Sequence, residues 1–283
     1  MAIKINEPIA FVSDIHANLE ALTAVLSDIQ IRGVKKISCL GDIIGYGPDP
    51  IACMDIAMSF YTNLAGNHEA GVSLAAFTET SSPVAKMSMS WTREQIKAHP
   101  NAKRYWDFIR MLPGHVESES AGRRIDMYHG SPLDPLFDYV RHDNSLYEFL
   151  MLRLPKDLVG DSVVFLDIQF RDIRRALFKA IEDVCFVGNT HVAGVLEEGQ
   201  EWLFPKREID EFKLGKRKCY INPGSVGQPR DGNPKAAYAV LDGSRVTFYR
   251  VGYDVKKTHD KVMQSNIYGD MALLLVDRLL TGR

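Results

Sequence analysis

The sequence predicts an α/β protein built on a parallel sheet, and three observations carry that prediction. Strand-like and helix-like segments alternate over the first third of the chain, a pattern that calls for parallel strands joined by crossovers. Apolar runs stop abruptly on side chains able to bind a metal, as in "NLAGNHEAG" (Asn63 to Gly71) and "VCFVGNTHVAG" (Val184 to Gly194). Ligands of parallel sheets gather beyond the carboxyl ends of the strands, which is where these residues fall.

In chain order, "IAFVSD" is a short apolar strand. "NLEALTAVLSDIQIRG" has helical spacing at Leu19, Leu22, Val25, Leu26 and Ile29 and closes on Gly33 as a C-cap. "KKISCLGD" is the next strand, "DPIACMDIAMSF" a helix and "YTNLAG" a third strand. From Ala70 to about Leu112 the pattern is helical, with "SPVAKMSMSWTREQIKAH" and "AKRYWDFIRML" separated by Pro100-Asn101. "RRIDMYHG" is a strand, and the segment Ser131 to Asp161, with Pro132, Pro135 and Pro155, has no readable period. "VVFLD", a helix around "RDIRRALFKAIED" and the strand "VCFVG" follow. The tail gives strands "KCYINPGS", "AAYAVLD" and "RVTFYRVG", with "LDGSRV" as a tight hairpin, and then two helices.

The bulk numbers narrow the function classes. The 283 residues suffice for one large domain or two small ones, and 46% hydrophobic with 25% charged residues is ordinary for a soluble globular protein. A formal net charge of −2 gives no general attraction to nucleic acid or to an anionic membrane. The basic clusters "RDIRRALFK" and "KLGKRK" read as the solvated face of a helix and a charged loop. Cys39, Cys53, Cys185 and Cys219 lie far apart with no C-x-x-C pair, which suggests a reducing compartment. The N-terminus lacks a signal-peptide core and the apolar run "MALLLV" is too short to span a bilayer, so the expectation is a cytoplasmic protein with no membrane partner.

The residues at the strand ends carry the chemistry. The first strand delivers Asp14 and His16, the second Asp42, and the third Asn67 and His68. "DMYHG" adds His129, and "VGNTHVAG" adds Asn189 and His191. Carboxylate, imidazole and amide oxygen together suit a divalent cation of borderline hardness. Each residue also has a plainer reading: Asp14 or Asn18 as a helix cap, Gly41-Asp42 and Gly66-Asn67 as turns, His129 as a buried core histidine. Their joint occurrence at the ends of strands favours a shared site.

"DIHAN", "GD", "GNHE", a strand-ending His-Gly and the Gly-x-Thr-His element follow one another as in the calcineurin-like metallophosphoesterases, which this sequence resembles from Asp14 to about Gly232. "GYGPDP" and "INPGSVGQPRDG" are similar to a bacterial and archaeal subgroup of that family. The resemblance implies a four-layer α-β-β-α sandwich in a single domain over 1–283, with 70–112 as a helical insertion beside the active site. It implies two divalent metal ions, one held by Asp14, His16, Asp42 and His191, the other by Asp42 as a bridge with Asn67, His129 and Asn189. A hydroxide between the metals would attack phosphorus, with His68 as general acid or as donor to the phosphoryl or leaving oxygen. The family most often has His where this chain has Asn189, a harder and weaker ligand, so Mn2+ or Fe2+ is favoured over Zn2+, with Ni2+ and Mg2+ also admitted.

The expected substrate is small and phosphorylated, a phosphodiester or nucleotide, with a dinucleoside polyphosphate within that class. A serine/threonine phosphoprotein phosphatase and a weakly catalytic metal-binding scaffold are the alternatives. Extended nucleic acid is disfavoured by the lack of a basic stripe. Asn18, Tyr46 and Arg230 are the candidate substrate-binding residues, Asn18 and Asn222 also resembling residues that orient metal ligands. Tyr46, Phe77, Trp91, Phe137 and Tyr139 are candidates to stack on a base, although Trp91 among Met87, Met89 and Ile96 reads more simply as core. Loops 43–50, 69–124, 132–160 and 224–234 are expected to choose the substrate. The oligomeric state is not legible.

Overall fold

The structure is a computed structural model that describes residues 3–74, 81–140, 172–265, 267, 269 and 272–282. The strands are β1 (Ile3–Ile5), β2 (Ile9–Val12), β3 (Lys36–Cys39), β4 (Thr62–Asn63), β5 (His115–Ser120), β6 (Arg123–Tyr128), β7 (Val184–Phe186), β8 (Gly194–Glu197), β9 (Trp202–Leu203), β10 (Ile209–Lys213), β11 (Cys219–Asn222), β12 (Ala236–Asp242) and β13 (Arg245–Val251). The helices are α1 (Leu19–Ile31), α2 (Pro50–Ala57), α3 (Asn67–Ser73), α4 (Pro83–Ala98) and α5 (Ala102–Met111), then 172–180, Val255–Ser265 and Ala272–Thr281. The expected strand "VVFLD" lies outside the described residues.

Side-chain alternation explains why the strands form two stacked sheets. Along β2, Ala10 and Val12 enter a cluster beneath helices while Ile9 and Phe11 enter a second cluster between the sheets. Along β7, Val184 and Phe186 enter that same inter-sheet cluster, whereas Cys185 and Val187 turn outward to a third with Leu177 and Phe178 of helix 172–180. Three apolar clusters therefore separate four layers, α-β-β-α, as expected. One sheet has the order β1-β5-β6-β7-β11-β8-β9 and the other β10-β13-β12-β2-β3-β4. Phe11 of one sheet stacks on Phe186 of the other with centroids 3.8 Å apart, and both are fully buried. Phe11→Ala is expected to cost about 3–5 kcal/mol, read as a lower denaturant midpoint with an unchanged slope.

The parallel pairing predicted from the first third includes the strands that matter for the site, with β1 and β5 as a further parallel pair. β2, β3 and β4 are mutually parallel, and so are β6, β7 and β11, while β12 and β8 flank them antiparallel. The carboxyl ends of both parallel triplets therefore meet at one edge. "YTNLAG" contributes only Thr62–Asn63 to the ladder, because β4 is an edge strand with β3 as its one partner; the chain then leaves, Ala65 donating to the Pro113 carbonyl. The hairpin "LDGSRV" turns on Gly243-Ser244 between the paired Asp242 and Arg245, with Gly243 at φ 58°. Among the described residues no helix is long and apolar enough to cross a membrane.

Candidate metal centre

Each predicted ligand sits in the first residues after a parallel strand, and the backbone there is unusual. Asp14, His16, Asp42, Tyr46, Asn189 and His191 all have positive φ, between 47° and 63°. Such conformations are strained for non-glycine residues and persist only where the surroundings enforce them. Some of the enforcement is visible. Asp14 N–H donates to the Gly41 carbonyl, His16 N–H to that of Asp42 and Ala17 N–H to that of Ile43, which laces the two loops together. Gly66 lies against the Asp42 carboxylate so closely that a Cβ would overlap it, which is why the third loop needs glycine there.

The side chains converge. His191 Nε2 lies 3.1 Å from Asp14 Oδ1, and His16 Nε2 lies 3.8 Å from the same oxygen and 3.6 Å from Asp42 Oδ2. His129 Nε2 is 3.5 Å from Asp42 Oδ2 and 3.0 Å from Asn67 Oδ1. All three histidines are oriented alike: Nδ1 of His16 donates to the Ile44 carbonyl at 3.3 Å, that of His129 to Leu40 at 2.9 Å and that of His191 to Gln228 at 2.5 Å. A carbonyl can only accept, so each Nδ1 carries a proton and each Nε2 faces inward; those of His16 and His191 present lone pairs, whereas His129 Nε2 donates to Asn67 Oδ1 and would give up that proton to a cation.

That arrangement fits a cation. The Nε2 atoms of His16 and His191 face each other at 3.1 Å. Burial pushes both rings below the ordinary histidine range, helped at His191 by the charge of Arg230, so neither holds the proton that would make this contact a hydrogen bond. Among the described residues Asp14 Oδ1, fully buried, likewise has no hydrogen-bond donor, because His191 has spent its proton on Gln228. At His129 the burial penalty is outweighed by Asp42, Asp14 and Glu69, and the ring is raised to about 9. Burial raises Asp14, but His191, His129 and Ser13 together outweigh it and hold it at about 2, and Asp42 is lowered too, by His129 and His68 against the effect of burial. A fully buried pocket with two carboxylates, facing lone pairs and a ring that attracts a proton is a site that seeks positive charge.

His68 differs from the other three. It lies close enough to His16 and Asp42 to complete a ligand triad with them. Its ring, however, is tied to no carbonyl: among the described residues His68 Nδ1 is buried with no hydrogen-bond partner. Its backbone N–H donates to Asp42 Oδ1 at 2.9 Å, and its ring packs on Tyr46 and edge-on to His16. Burial lowers it to about 4. Asn189 N–H points at Asp14 Oδ2 at 3.2 Å, and its Nδ2 donates to the Asp138 carbonyl at 2.8 Å, which leaves the amide oxygen as the end available to a ligand.

A cavity of about 400 Å3 opens over this cluster, lined on the ligand side by Asp42, Asn67, His68, Asn189 and His191. Tyr46, Phe137, Tyr139 and Arg230 line it as well, and so do Ser81, Ser82 and Ala85 at the start of α4. The helical stretch therefore does lie beside the site. Phe77 falls outside the described residues, and Trp91 packs against the core beneath the helices, as its plainer reading held.

Asn18 is a correction. Its Oδ1 accepts the Ala21 N–H and the Thr258 hydroxyl, and its Nδ2 donates to the Gly227 carbonyl and Tyr253 Oη. It is buried, does not line the cavity, and caps α1 instead of meeting substrate. Asn222 holds the turn that carries Asn189 and His191, donating to the Gly188 carbonyl and the Thr190 hydroxyl.

Two contributors were missed. Glu69, buried, accepts from three backbone N–H groups, those of Asp42, Ile44 and Gly66, at 2.9, 3.1 and 2.8 Å. It thereby fixes the second and third loops together; burial and Asp42 raise it to about 7. The available signal was its place three residues after Gly66, where a Glu reaches back to a helix start. Arg278, from the C-terminal helix, also lines the cavity and lies in none of the loops expected to do so.

Two stacked sheets whose parallel strands deliver Asp, His and Asn side chains to a common edge define a metal-site hydrolase fold of the phosphoesterase kind. The chain belongs to the calcineurin-like phosphoesterase superfamily, whose domain model matches residues 8–245. It is 34% identical over 280 residues to an uncharacterized protein of Methanocaldococcus jannaschii, covering 97% of this chain and 98% of that one. It is similar to a metallophosphoesterase from Sphaerobacter thermophilus at 29% identity and a TM-score of 0.73, covering 98% of this chain and 100% of that one. A hypothetical protein from Pyrococcus horikoshii shares the fold at 18% identity and a TM-score of 0.67, with 98% of each chain covered.

Proposed function

We propose that the protein hydrolyses a phosphoester bond of a small phosphodiester or nucleotide-type substrate at a centre of two divalent cations. The observation that carries this reading is the facing pair His16 Nε2 and His191 Nε2, 3.1 Å apart, beside the undonated Asp14 Oδ1. Asp14, His16, Asp42 and His191 would hold one cation; Asp42, Asn67, His129 and Asn189 the other. When bound, the pair would activate water and neutralise the charge of the phosphoryl oxygens.

The chain's own residues do the rest. The three Nδ1–H bonds to carbonyls keep the Nε2 atoms aimed inward, with His129 Nε2 losing its proton when a cation binds. Glu69 keeps Asp42 and Asn67 in register by holding the N–H groups of Asp42 and Gly66. His68, at the cavity wall and neutral at pH 7, gives a hydrogen bond to the phosphoryl or leaving oxygen. Arg230 lies in the same wall, its guanidinium braced on Gln228 Oε1 at 2.7 and 3.1 Å, and meets phosphate charge. A cavity of about 400 Å3 suits a nucleotide-sized molecule better than a folded phosphoprotein segment. The four free, buried cysteines accord with a reducing, cytoplasmic setting.

The test is hydrolysis of bis-p-nitrophenyl phosphate by protein stripped with chelator and reloaded in turn with Mn2+, Fe2+, Ni2+, Zn2+ and Mg2+. Activity should vanish on stripping and return most fully with Mn2+ or Fe2+. Activity that survives stripping, or that fails to return although metal is bound, would overturn the reading. Because an amide oxygen is a weaker donor than imidazole, Asn189→His is expected to tighten the weaker of two Mn2+ sites by about tenfold in calorimetry. An unchanged affinity would mean that Asn189 is not a ligand.

A further inference from the structure

β10 ends its sheet: among the described residues β13 is its one ladder partner. Leu214 N–H donates to the Ser244 carbonyl and Arg250 N–H to the Glu208 carbonyl, so the even-numbered residues turn their backbone groups toward β13. Ile209, Glu211 and Lys213 therefore turn theirs outward. The Glu211 N–H rests meanwhile on Asp210 Oδ1 at 3.0 Å, a local bond that a strand partner would replace. A groove of about 230 Å3 runs beside the strand, its apolar lining made by Val195, Leu203, Phe204, Pro205, Phe212 and Phe248. Leu203, Phe204 and Ile209 are each about half exposed.

Edge strands are commonly protected by charge, and charge of a single sign would keep a second copy away. Here the sign reverses within the strand. In "EIDEFKLGK" (Glu208 to Lys216) the acidic residues precede Phe212 and the lysines follow it, Glu211 matching Lys213 and Glu208 matching Lys216 at equal distances. Such a sequence is complementary to itself when two copies run antiparallel. Outward-facing residues must meet outward-facing residues, so the two-fold axis of such a pair falls on a residue of the strand. Centred on Asp210 or Glu211, it sets that carboxylate against its own copy; centred on Ile209, it sets Glu208 against Asp210. Centred on Lys213, it opposes two lysines. Centred on Phe212, it sets Glu211 opposite Lys213 of the second copy, twice, at positions that exchange both backbone hydrogen bonds. Charge thus singles out one register of five.

We propose that β10 is a self-association edge, through which two copies of this chain join their sheets antiparallel about Phe212. Glu211 now stands 3.6 Å from Arg245 with both side chains more than half exposed, a contact weak enough to yield to the new pair. The amino end of β10 lies at the metal edge, because β12 runs antiparallel to β2, β13 to β12 and β10 to β13. Antiparallel copies therefore point their candidate metal centres to opposite ends of the joined sheet, and neither copy completes the other's site. The inference stands apart from the phosphoesterase reading.

The test is the solution mass of the full chain by sedimentation equilibrium, where wild type is expected at twice the mass of one chain. Lys213→Glu sets Glu211 against a second acid and Glu211→Lys sets Lys213 against a second base. Each change should weaken association by about tenfold or more. The double exchange, Glu211→Lys with Lys213→Glu, restores both pairs and should restore the dimer. An equimolar mixture of the two single variants should associate as wild type does, because each supplies the sign the other lacks. Both positions are exposed, so the variants should fold. A wild type that stays monomeric at about 100 μM overturns the proposal. So does a dimer indifferent to either single change, or a mixture that fails to associate where wild type does.

Discussion

Asp42→Asn is expected to lower turnover by about a thousandfold or more and to abolish the stabilisation that Mn2+ confers on the protein. Asp42 Oδ2 stands 3.6 Å from His16 Nε2 and 3.5 Å from His129 Nε2, so one oxygen serves both proposed ligand sets. Its other oxygen accepts the His68 N–H at 2.9 Å. The amide is nearly the same shape and can still accept that bond, so the loops should keep their course. What disappears is the shared negative charge. A cation at a hundredfold excess over its Kd stabilises a folded protein by about 2.7 kcal/mol, or about 5–10 °C for a chain of this size. Wild type should show that shift on adding Mn2+, and Asp42→Asn should not. The metal-free variant should melt below metal-free wild type, since the lowered Asp42 carboxylate favours the folded state at neutral pH through His129, so the Mn2+ shift is read for each protein against its own metal-free form. A variant that still gains the full Mn2+ shift and keeps its turnover would show that Asp42 bridges nothing.

The candidate ligand set was legible because each member is local. Asp14 and His16, Asp42, and Asn67 with His68 lie within a few residues of the end of an apolar run, so pattern and chemistry could be read together. The same locality set the limit. Nothing in the spacing of Asn18 separates a helix cap from a substrate ligand; the partners that decide it, Gly227, Tyr253 and Thr258, come from the far end of the chain. Glu69 acts through backbone N–H groups, which every sequence has, so its three acceptor bonds leave only a faint signature. β10 escaped notice because it is a half-exposed edge strand, Ile209 facing solvent and charged residues on both sides, so its run shows no buried stripe. Arg278 was invisible for a different reason: an arginine on an amphipathic C-terminal helix reads as a solvated charge until the helix is docked. The "GQPRDG" loop showed where the first arginine lies, and only the fold brings the second to the same cavity.

His68→Gln should separate chemistry from metal binding more cleanly than any ligand variant. The ring is buried, its Nδ1 has no partner among the described residues, and it lines the cavity instead of being fastened by a carbonyl. Burial holds it at about 4, and cations nearby would lower it further, so it is neutral from about pH 5 to pH 8 and acts through the N–H of the neutral ring. Removing a positioned proton donor of this kind costs about 10²–10⁴-fold in turnover. The Mn2+ stabilisation should survive, in contrast to Asp42→Asn, because no ligand is lost. The pH–rate profile between those limits should drop without changing shape, since a ring neutral throughout contributes no limb to it. A series of aryl diesters then assigns the donor's target. If the His68 N–H donates its hydrogen bond to the leaving oxygen, the loss grows steadily as the leaving phenol becomes more basic, and it is smallest for p-nitrophenolate. If His68 instead donates to a phosphoryl oxygen, the loss is the same across the series. A His68→Gln protein with wild-type turnover on every ester but reduced Mn2+ stabilisation would reverse the assignment, making His68 the third member of the triad with His16 and Asp42.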